Sequence, residues 1–227
     1  MRSIMAMILN LETATTNCSV SIANKGEIIS LREDNSPNYS HSEQLHIFIE
    51  EALKGASLTF KDISAIAVSK GPGSYTGLRI GVSAAKGLCF SLDLPLISVS
   101  TLESLAKQGY EKNYDFIIPL LDARRMEVYS AVFDAEGNNI RETRAEIINK
   151  DSFLEYAQKD SVLLIGDGAE KCRELLDHPN FSYRSALPTA KEMGVLSYKK
   201  FKANDFENVA YFEPYYLKDF MLPSKKS

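Results

Sequence analysis

Residues 7–31 read MILNLETATTNCSVSIANKGEIISL, a stretch that combines three short apolar segments with two polar breaks. The first segment, Met7 to Leu11, ends at the polar run ETATTN. The second, Cys18 to Ala23, has the alternation of a strand, and Asn24-Lys25-Gly26 then predicts a turn before Glu27 to Leu31. Consecutive strands joined by short turns pair antiparallel. The stretch therefore predicts a three-stranded antiparallel meander.

The residues after the meander alternate between helical and strand patterns. Apolar residues recur with helical spacing from Tyr39 to Leu53, and Ile63 to Val68 (ISAIAV) has the pattern of a buried strand. A second helix is predicted over Thr76 to Ser91, and Pro95 to Ser98 predicts another strand. This β-β-β-α-β-α-β order is typical of ribonuclease H-like folds. We therefore predict an α/β fold whose mixed sheet carries helices on its faces.

The second half of the chain is less regular. Phe116 to Leu121 and Glu127 to Phe133 are predicted to form a hairpin. Helices are predicted over Asp151 to Gln158, with Asp151 as the N-cap, and over Lys191 to Phe201. These elements indicate a second unit that is a reduced copy of the first.

We therefore predict two lobes. The first covers residues 1–100, the second covers residues 101–204, and residues 205–227 pack back on the first lobe. Hydrophobic residues make up 44% of the 227 residues, which is enough for a substantial core in each lobe.

Charge and cysteine content narrow the functional classes. The net charge of −4 makes the chain a poor nucleic-acid binder on its own, because phosphate binding needs clustered positive charge. The three cysteines form no CxxC pair, which favours a reducing, cytoplasmic location. No stretch approaches the roughly 20 apolar residues of a membrane span, so no membrane association is predicted.

The segment KGPGSYTGLRIG, Lys70 to Gly81, is the most specific feature of the sequence. Gly71 and Gly73 permit backbone angles closed to other residues, and Ser74 or Thr76 can cap the following helix. A glycine loop that opens a helix can bind an anion through exposed N–H groups, but it can equally be a tight β–α turn. The residues alone leave both interpretations open, although the missing GK[ST] ending excludes a P-loop.

The helix after this loop carries small residues at regular spacing, including Gly77, Gly81, Ala84 and Ala85. A glycine inside a helix costs roughly 1 kcal/mol relative to alanine. We therefore predict close packing on this helix, with internal packing on one side and a partner chain on the other.

Histidines and charged turns give weaker signals. His41 and His46 are five residues apart and His178 is isolated, so no metal site is predicted and His41 is interpreted as a cap or contact residue. Asp122 to Arg125 (DARR) lies at a hairpin tip. It can bind phosphate or a partner carboxylate, or it can form only a surface ion pair.

Several motifs occur together in a specific order over roughly residues 7–133: MILNLETATTNCSVSI, SHSEQL, AIAVSKGPGSYTGLRIGVSAAKGL, LISVSTLESLA and PLLDARRMEVYSAVF. In sequence and spacing they resemble the TsaB (YeaZ) family, a paralogue of TsaD within the actin-like ATPase superfamily. The resemblance implies a two-lobed, actin-like fold and a role in making threonylcarbamoyladenosine in tRNA. It implies a partner without its own chemistry or cofactor, which binds TsaD and supports transfer to the adenosine beside the anticodon.

The resemblance also implies an assembly. A TsaE-type ATPase joins the TsaD heterodimer, tRNA is contacted through the complex, and the chain alone forms a homodimer. The family's partner surface uses the two helices of the first lobe. The residues that we assign to it are His41, Gln44, Ile47, Phe48, Gly77, Gly81, Ala84 and Ala85.

In actin-like ATPases, acidic and hydroxyl residues after the first strand surround phosphate and metal. Here the sequence is Glu-Thr-Ala-Thr and lacks the DxGxT pattern, so a locally capped hairpin is the alternative. We assign no catalytic residue and no metal ligand. The residues of a vestigial or shared phosphate loop are Glu12, Thr13, Thr15, Gly71, Gly73 and Ser74.

Two other functions compete with the partner role. The first is an ATP-binding enzyme of the actin-like or sugar-kinase type, with ETATT and GPGS as its phosphate loops. The second is a glycoprotease-like metallopeptidase. The HxxxH metal pair of TsaD-like proteins is absent from this sequence, which disfavours the second function.

Overall fold

The computed structural model describes residues 6–36, 41–110 and 113–217, which build two five-stranded mixed sheets with helices on their faces. This architecture confirms the predicted fold class, an actin-like α/β fold with two lobes. The helices in the described residues are α1 (His41–Gly55), α2 (Tyr75–Leu92), α3 (Thr101–Lys107), α4 (Leu154–Ala157), α5 (Ala169–Cys172) and α6 (Ala190–Ala203).

The first sheet has the strand order β3-β2-β1-β4-β5. Strand β1 pairs antiparallel with β2, which pairs antiparallel with β3, so the predicted meander is confirmed. Strands β4 and β5 extend the sheet in parallel from the other side of β1. The strands are β1 (Met7–Glu12), β2 (Cys18–Asn24), β3 (Glu27–Asp34), β4 (Ala65–Gly71) and β5 (Leu96–Ser100).

Helices α1 and α2 cover one face of this sheet. Leu45 and Ile49 of α1 and Val82 and Ala85 of α2 are buried in the same apolar cluster as the side chains of β1 and β2. The predicted start of the first helix at Tyr39 lies outside the described residues.

The second sheet repeats the topology of the first, in the order β10-β9-β6-β7-β8. Its strands β6, β7 and β8 form an antiparallel meander, and β9 and β10 continue in parallel with β6. The strands are β6 (Phe116–Asp122), β7 (Glu127–Asp134), β8 (Asn139–Ile147), β9 (Val162–Ile165) and β10 (Phe181–Arg184).

The helices of this second lobe are shorter than their counterparts. The predicted helix over residues 151–158 is a single turn, and Asp151 is not its N-cap, because Phe153 precedes the turn with a φ of +63°. Side-chain oxygens here bind backbone N–H groups in place of a helical hydrogen-bond pattern. The Asp151 N–H donates to Asn149 Oδ1 at 2.9 Å, and the Asn149 N–H donates to Ser152 Oγ at 3.0 Å.

Helix α6 packs on the first sheet, on the face opposite α1 and α2. It lies within residues 101–204, the predicted second lobe, but it contacts all five strands of the first sheet, and it also contacts α3. Ala190 and Met193 join Ile8 and Ile97 in one buried cluster. The amphipathic pattern predicts a helix correctly, but it does not identify the sheet that the apolar face covers.

Buried polar side chains join α6 to the sheet. Ser197 Oγ donates to Asn10 Oδ1 at 2.7 Å, and Asn10 Nδ2 donates to Ser21 Oγ at 3.2 Å. Ser21 Oγ in turn donates to the Ala190 carbonyl oxygen at 2.7 Å. All three side chains are fully buried, so each depends on the others to satisfy its polar atoms.

Residues 205–217 return to the first lobe after α6. The Glu207 N–H donates to the Leu96 carbonyl oxygen at 2.8 Å, and Ser98 Oγ donates to Glu207 Oε1 at 2.5 Å. Val209 and Phe212 pack on the apolar cluster beneath α1 and α2. This tail segment, residues 205–217, therefore covers the outer edge strand β5 and reaches α2.

Replacing Asn10 with alanine should destabilise the chain by about 2–3 kcal/mol, because Ser197 and Ser21 then lose buried hydrogen bonds. Urea unfolding followed by circular dichroism measures this loss. The exposed Asn113 serves as the control, and Asn113→Ala should change the unfolding free energy by less than about 0.5 kcal/mol. Equal effects of the two substitutions would contradict a stabilising role for the buried network.

Candidate functional site

The glycine loop between β4 and α2 forms a capped helix start. Gly71 has a φ of +111°, a conformation that residues with a side chain rarely adopt. Ser74 is the N-cap, and its Oγ accepts a hydrogen bond from the Gly77 N–H at 3.3 Å. Locally, the loop has the geometry of a tight β–α turn.

The loop after β1 lies directly on this helix start. The Ser74 N–H donates to the Ala14 carbonyl oxygen at 2.6 Å, and Thr13 Oγ1 donates to the Gly77 carbonyl oxygen at 2.8 Å. A Cβ at Gly73 would collide with the Ala14 carbonyl oxygen. The Ser74 N–H, which an anion at the helix start would need, is therefore already hydrogen-bonded to a carbonyl oxygen of the protein itself.

The glycines of α2 that we assigned to the partner surface are internal. A Cβ at Gly77 would collide with the Thr13 carbonyl oxygen, and one at Gly81 would collide with Thr13 Oγ1. Ala85 is fully buried against the sheet. These positions correct the predicted interface, because Gly77, Gly81 and Ala85 already contact the chain's own loop and core. The predicted internal packing of this helix is present.

Helix α1 begins beside the same loop. His41 Nε2 lies 2.6 Å from the Thr15 carbonyl oxygen, which links the first turn of α1 to the loop after β1. Gln44 Nε2 donates to Asp34 Oδ2 at 3.1 Å, at the end of β3. Both side chains are half-buried, so they hold α1 in place as well as bordering its outer face.

The other predicted interface residues differ in exposure. Ile47 is 53% exposed on the outer side of α1, an unusual exposure for a large apolar side chain. Phe48 is partly buried against the core of the first lobe, and Ala84 of α2 is partly buried against the same core. Ile47 is therefore the one of these three that presents most of its surface to solvent.

A strip of α2 also remains open. Ser83 and Gly87 are exposed, and Phe90 is 86% exposed beside a shallow cavity of about 600 Å³ that Val209 and Ala210 also line. A Cβ at Gly87 would meet nothing within 4 Å. The described chain therefore gives no packing reason for this glycine, although a helical glycine costs about 1 kcal/mol.

The tail segment forms one border of this strip. Lys86 Nζ donates to the Phe212 carbonyl oxygen at 2.8 Å, and Arg79 Nε donates to Tyr216 Oη at 3.2 Å. The Tyr215 N–H donates to the Lys70 carbonyl oxygen at 2.7 Å, at the glycine loop. The tail is thereby joined to α2 at several points along the helix.

Glu12 ends β1 and is fully buried. Its Oε1 accepts a hydrogen bond from the Ala14 N–H at 2.7 Å, while Oε2 has no partner within the described residues. Burial raises the pKa of Glu12 to about 7, against the opposing effect of the Ala14 N–H. The carboxyl group therefore fixes the loop that packs on α2.

The corresponding acid of the second lobe is Asp122, at the end of β6. It forms an ion pair with Lys171, whose Nζ also donates to the carbonyl oxygens of Arg125 at 2.9 Å and Glu127 at 2.7 Å. The Asp122 N–H donates to Asp167 Oδ1 at 2.9 Å, and burial raises the pKa of Asp167. Within the described residues Asp122 therefore pairs with Lys171 and not, as predicted, with an arginine of the DARR tip, and the side chains of Arg124 and Arg125 are exposed.

Within residues 6–36, 41–110 and 113–217, no group of three or more histidine, cysteine, aspartate or glutamate side chains is placed to hold a metal ion. Across the same described ranges, no helix combines the length and apolar character needed to cross a bilayer.

The raised pKa of Glu12 predicts a pH dependence of stability. The folded state binds the proton more tightly than the unfolded chain, whose pKa is near 4.5, so stability falls as the pH rises from 4.5 to 7. At pH 8, Glu12→Gln should stabilise the chain by on the order of 3 kcal/mol relative to the unsubstituted chain.

At pH 4.5 the two proteins should unfold at nearly the same urea concentration. Glu50→Gln, an exposed carboxyl on α1, is the matched control and should leave the pH profile unchanged. A pH profile of unfolding free energy that Glu12→Gln does not flatten would contradict this assignment.

Known proteins resemble this chain in sequence and in fold. A family model described as TsaD, tRNA N6-adenosine threonylcarbamoyltransferase, matches residues 37–220. YeaZ from Pseudomonas aeruginosa shares the fold, with a TM-score of 0.83 at 24% identity over 94% of this chain and all of that chain.

Two relatives carry the name tRNA threonylcarbamoyladenosine biosynthesis protein TsaB. The protein of Escherichia coli (strain K12) is 31% identical over 93% of this chain and 94% of its own length. The protein of Haemophilus influenzae is 28% identical over 93% of each chain. With this identity over nearly its whole length, the chain belongs to the TsaB (YeaZ) family.

Proposed function

We propose that this chain is a non-catalytic subunit that binds a TsaD-type paralogue and supports transfer of threonylcarbamoyl to the adenosine beside the anticodon of tRNA. The names of its relatives place them in threonylcarbamoyladenosine biosynthesis. The observation that supports a non-catalytic role is a hydrogen bond at the start of α2. There the Ala14 carbonyl oxygen accepts from the Ser74 N–H, a group that a bound phosphate would need.

Phosphate binding at a helix start depends on free N–H groups and a positive local field. Here the Ser74 N–H binds Ala14 and the Gly77 N–H binds the Ser74 side chain. Carbonyl oxygens of the loop lie next to the helix start, and they repel phosphate oxygens. This arrangement favours a scaffold over an ATP-using enzyme of the sugar-kinase type.

The partner surface that we propose is the open side of α1 and α2, defined by Ile47, Ser83, Gly87 and Phe90. An exposed isoleucine and an exposed phenylalanine are typical of residues that become buried in an interface. Gly87 supports the same surface, because close approach of another chain explains a glycine that has no neighbour within its own fold.

The remaining partners that we propose are those of the family. A TsaE-type ATPase joins the heterodimer, the chain pairs with itself when it is alone, and tRNA binds mainly through the complex. The net charge of −4 supports this last point, because an acidic chain is a weak polyanion binder. Such a complex acts in the cytoplasm, where tRNA is modified.

The central experiment compares the purified chain with its complex. Light scattering after size exclusion should show a heterodimer with the TsaD-type paralogue, and tRNA modification should require both chains. The chain alone should neither hydrolyse ATP nor modify tRNA. Micromolar ATP binding and turnover by the lone chain, lost on substitution of Glu12, would instead establish the kinase-type alternative.

A substitution at Gly87 distinguishes an effect on the interface from an effect on the fold. Gly87→Ala should stabilise the isolated chain by up to about 1 kcal/mol, because alanine is the better helix former and its methyl group meets nothing. The same substitution should weaken the heterodimer at least tenfold, as should Phe90→Ala, which leaves the fold intact.

Ile147→Ala is the matched control, since this isoleucine is 72% exposed on the second lobe, away from α1 and α2. It should leave the heterodimer unchanged. Calorimetric titration with the paralogue measures affinity, and thermal unfolding measures the fold. A heterodimer that tolerates both α2 substitutions would place the interface elsewhere.

A further inference from the structure

A second cavity, of about 270 Å³, lies on the other face of the first sheet from α1 and α2. It opens where β5 ends, between α3 and α6. Val99, Leu196 and Ala203 give it an apolar lining. Ligands of α/β proteins commonly bind beyond the carboxyl ends of the strands, which is where this cavity lies.

Four charged side chains line the same cavity: Glu103 from α3, Lys199 and Lys200 from α6, and Asp205 just after α6. Lys200 Nζ lies 3.1 Å from Asp205 Oδ2, so these two neutralise each other. In the part of the chain that the structure describes, no ion pair forms between Lys199 and Glu103 or between either of them and another residue. One cation and one anion of the cavity therefore remain available to a ligand.

The sum of these charges is zero, which selects the class of ligand. A phosphate compound would face Glu103 and Asp205, and a purely apolar molecule would leave the charges of Lys199 and Glu103 beside it without partners. The volume is also below the range of about 300–1,000 Å³ typical of drug-sized ligands. A small molecule with one positive and one negative group fits both the charges and the size.

We propose that this cavity binds a small zwitterionic α-amino acid. Its carboxylate pairs with Lys199, its ammonium group pairs with Glu103, and a short apolar side chain lies against Leu196 and Val99. This site is independent of the proposed partner role, because it shares no residue with the open side of α1 and α2.

The binding experiment uses the full chain and nuclear magnetic resonance titration. L-alanine, L-serine and L-valine are the probes, and N-acetyl-L-valine and L-valinamide are analogues that lack the ammonium or the carboxylate. The free amino acids should bind saturably with shifts at α3 and α6. Each analogue should bind at least tenfold more weakly than L-valine.

Two variants identify the charged contacts. Glu103→Gln and Lys199→Met should each weaken L-valine binding at least tenfold, with an unchanged melting temperature. Lys191→Met, which removes an exposed lysine from the first turn of the same helix, is the control and should bind as the unsubstituted chain does. Equal affinity for L-valine and both analogues, or no saturation at millimolar concentration, would overturn the proposal.

Discussion

The contact between the loop after β1 and the glycines of α2 is the constraint on which the first lobe depends. Glu12 fixes the loop through the Ala14 N–H, Ala14 accepts from Ser74, and Thr13 fills the space that Gly77 and Gly81 leave open. The loop lies on one side of α2 and the tail segment on another. The strip around Gly87 stays exposed within the described residues, so the internal packing of this helix limits where another chain can approach it.

The same contact determines what the helix start can bind. A glycine loop at the start of a helix serves anion binding only while its N–H groups are free. In this chain a neighbouring loop supplies the acceptor. The ribonuclease H-like topology is retained, while two N–H groups at this helix start, those of Ser74 and Gly77, bind acceptors of the chain itself.

Much of the fold follows from the sequence because strand alternation, turn residues and helical spacing are local properties. The meander and the glycine loop before α2 were predictable for this reason. The environment of each α2 glycine was not, because helical spacing gives the angle between Gly77, Gly81 and Gly87 but not which neighbour fills which side. The same limit applies to α6, because its amphipathic pattern does not show which sheet it covers. Strand β10 was not predicted, because a four-residue edge strand has little pattern of its own.

The two lobes share one more property that bears on the proposed role. Each central strand ends in an acid, Glu12 in β1 and Asp122 in β6, at equivalent positions of two sheets with the same topology. Glu12 accepts from a backbone N–H within its own loop, and Asp122 pairs with Lys171. An acid that serves catalysis must reach a substrate or a metal, whereas Glu12 is fully buried and the exposed Asp122 is paired with Lys171. Since the two lobes use the equivalent position in the same structural way, the pattern supports a chain whose surface, rather than its strand ends, carries the function.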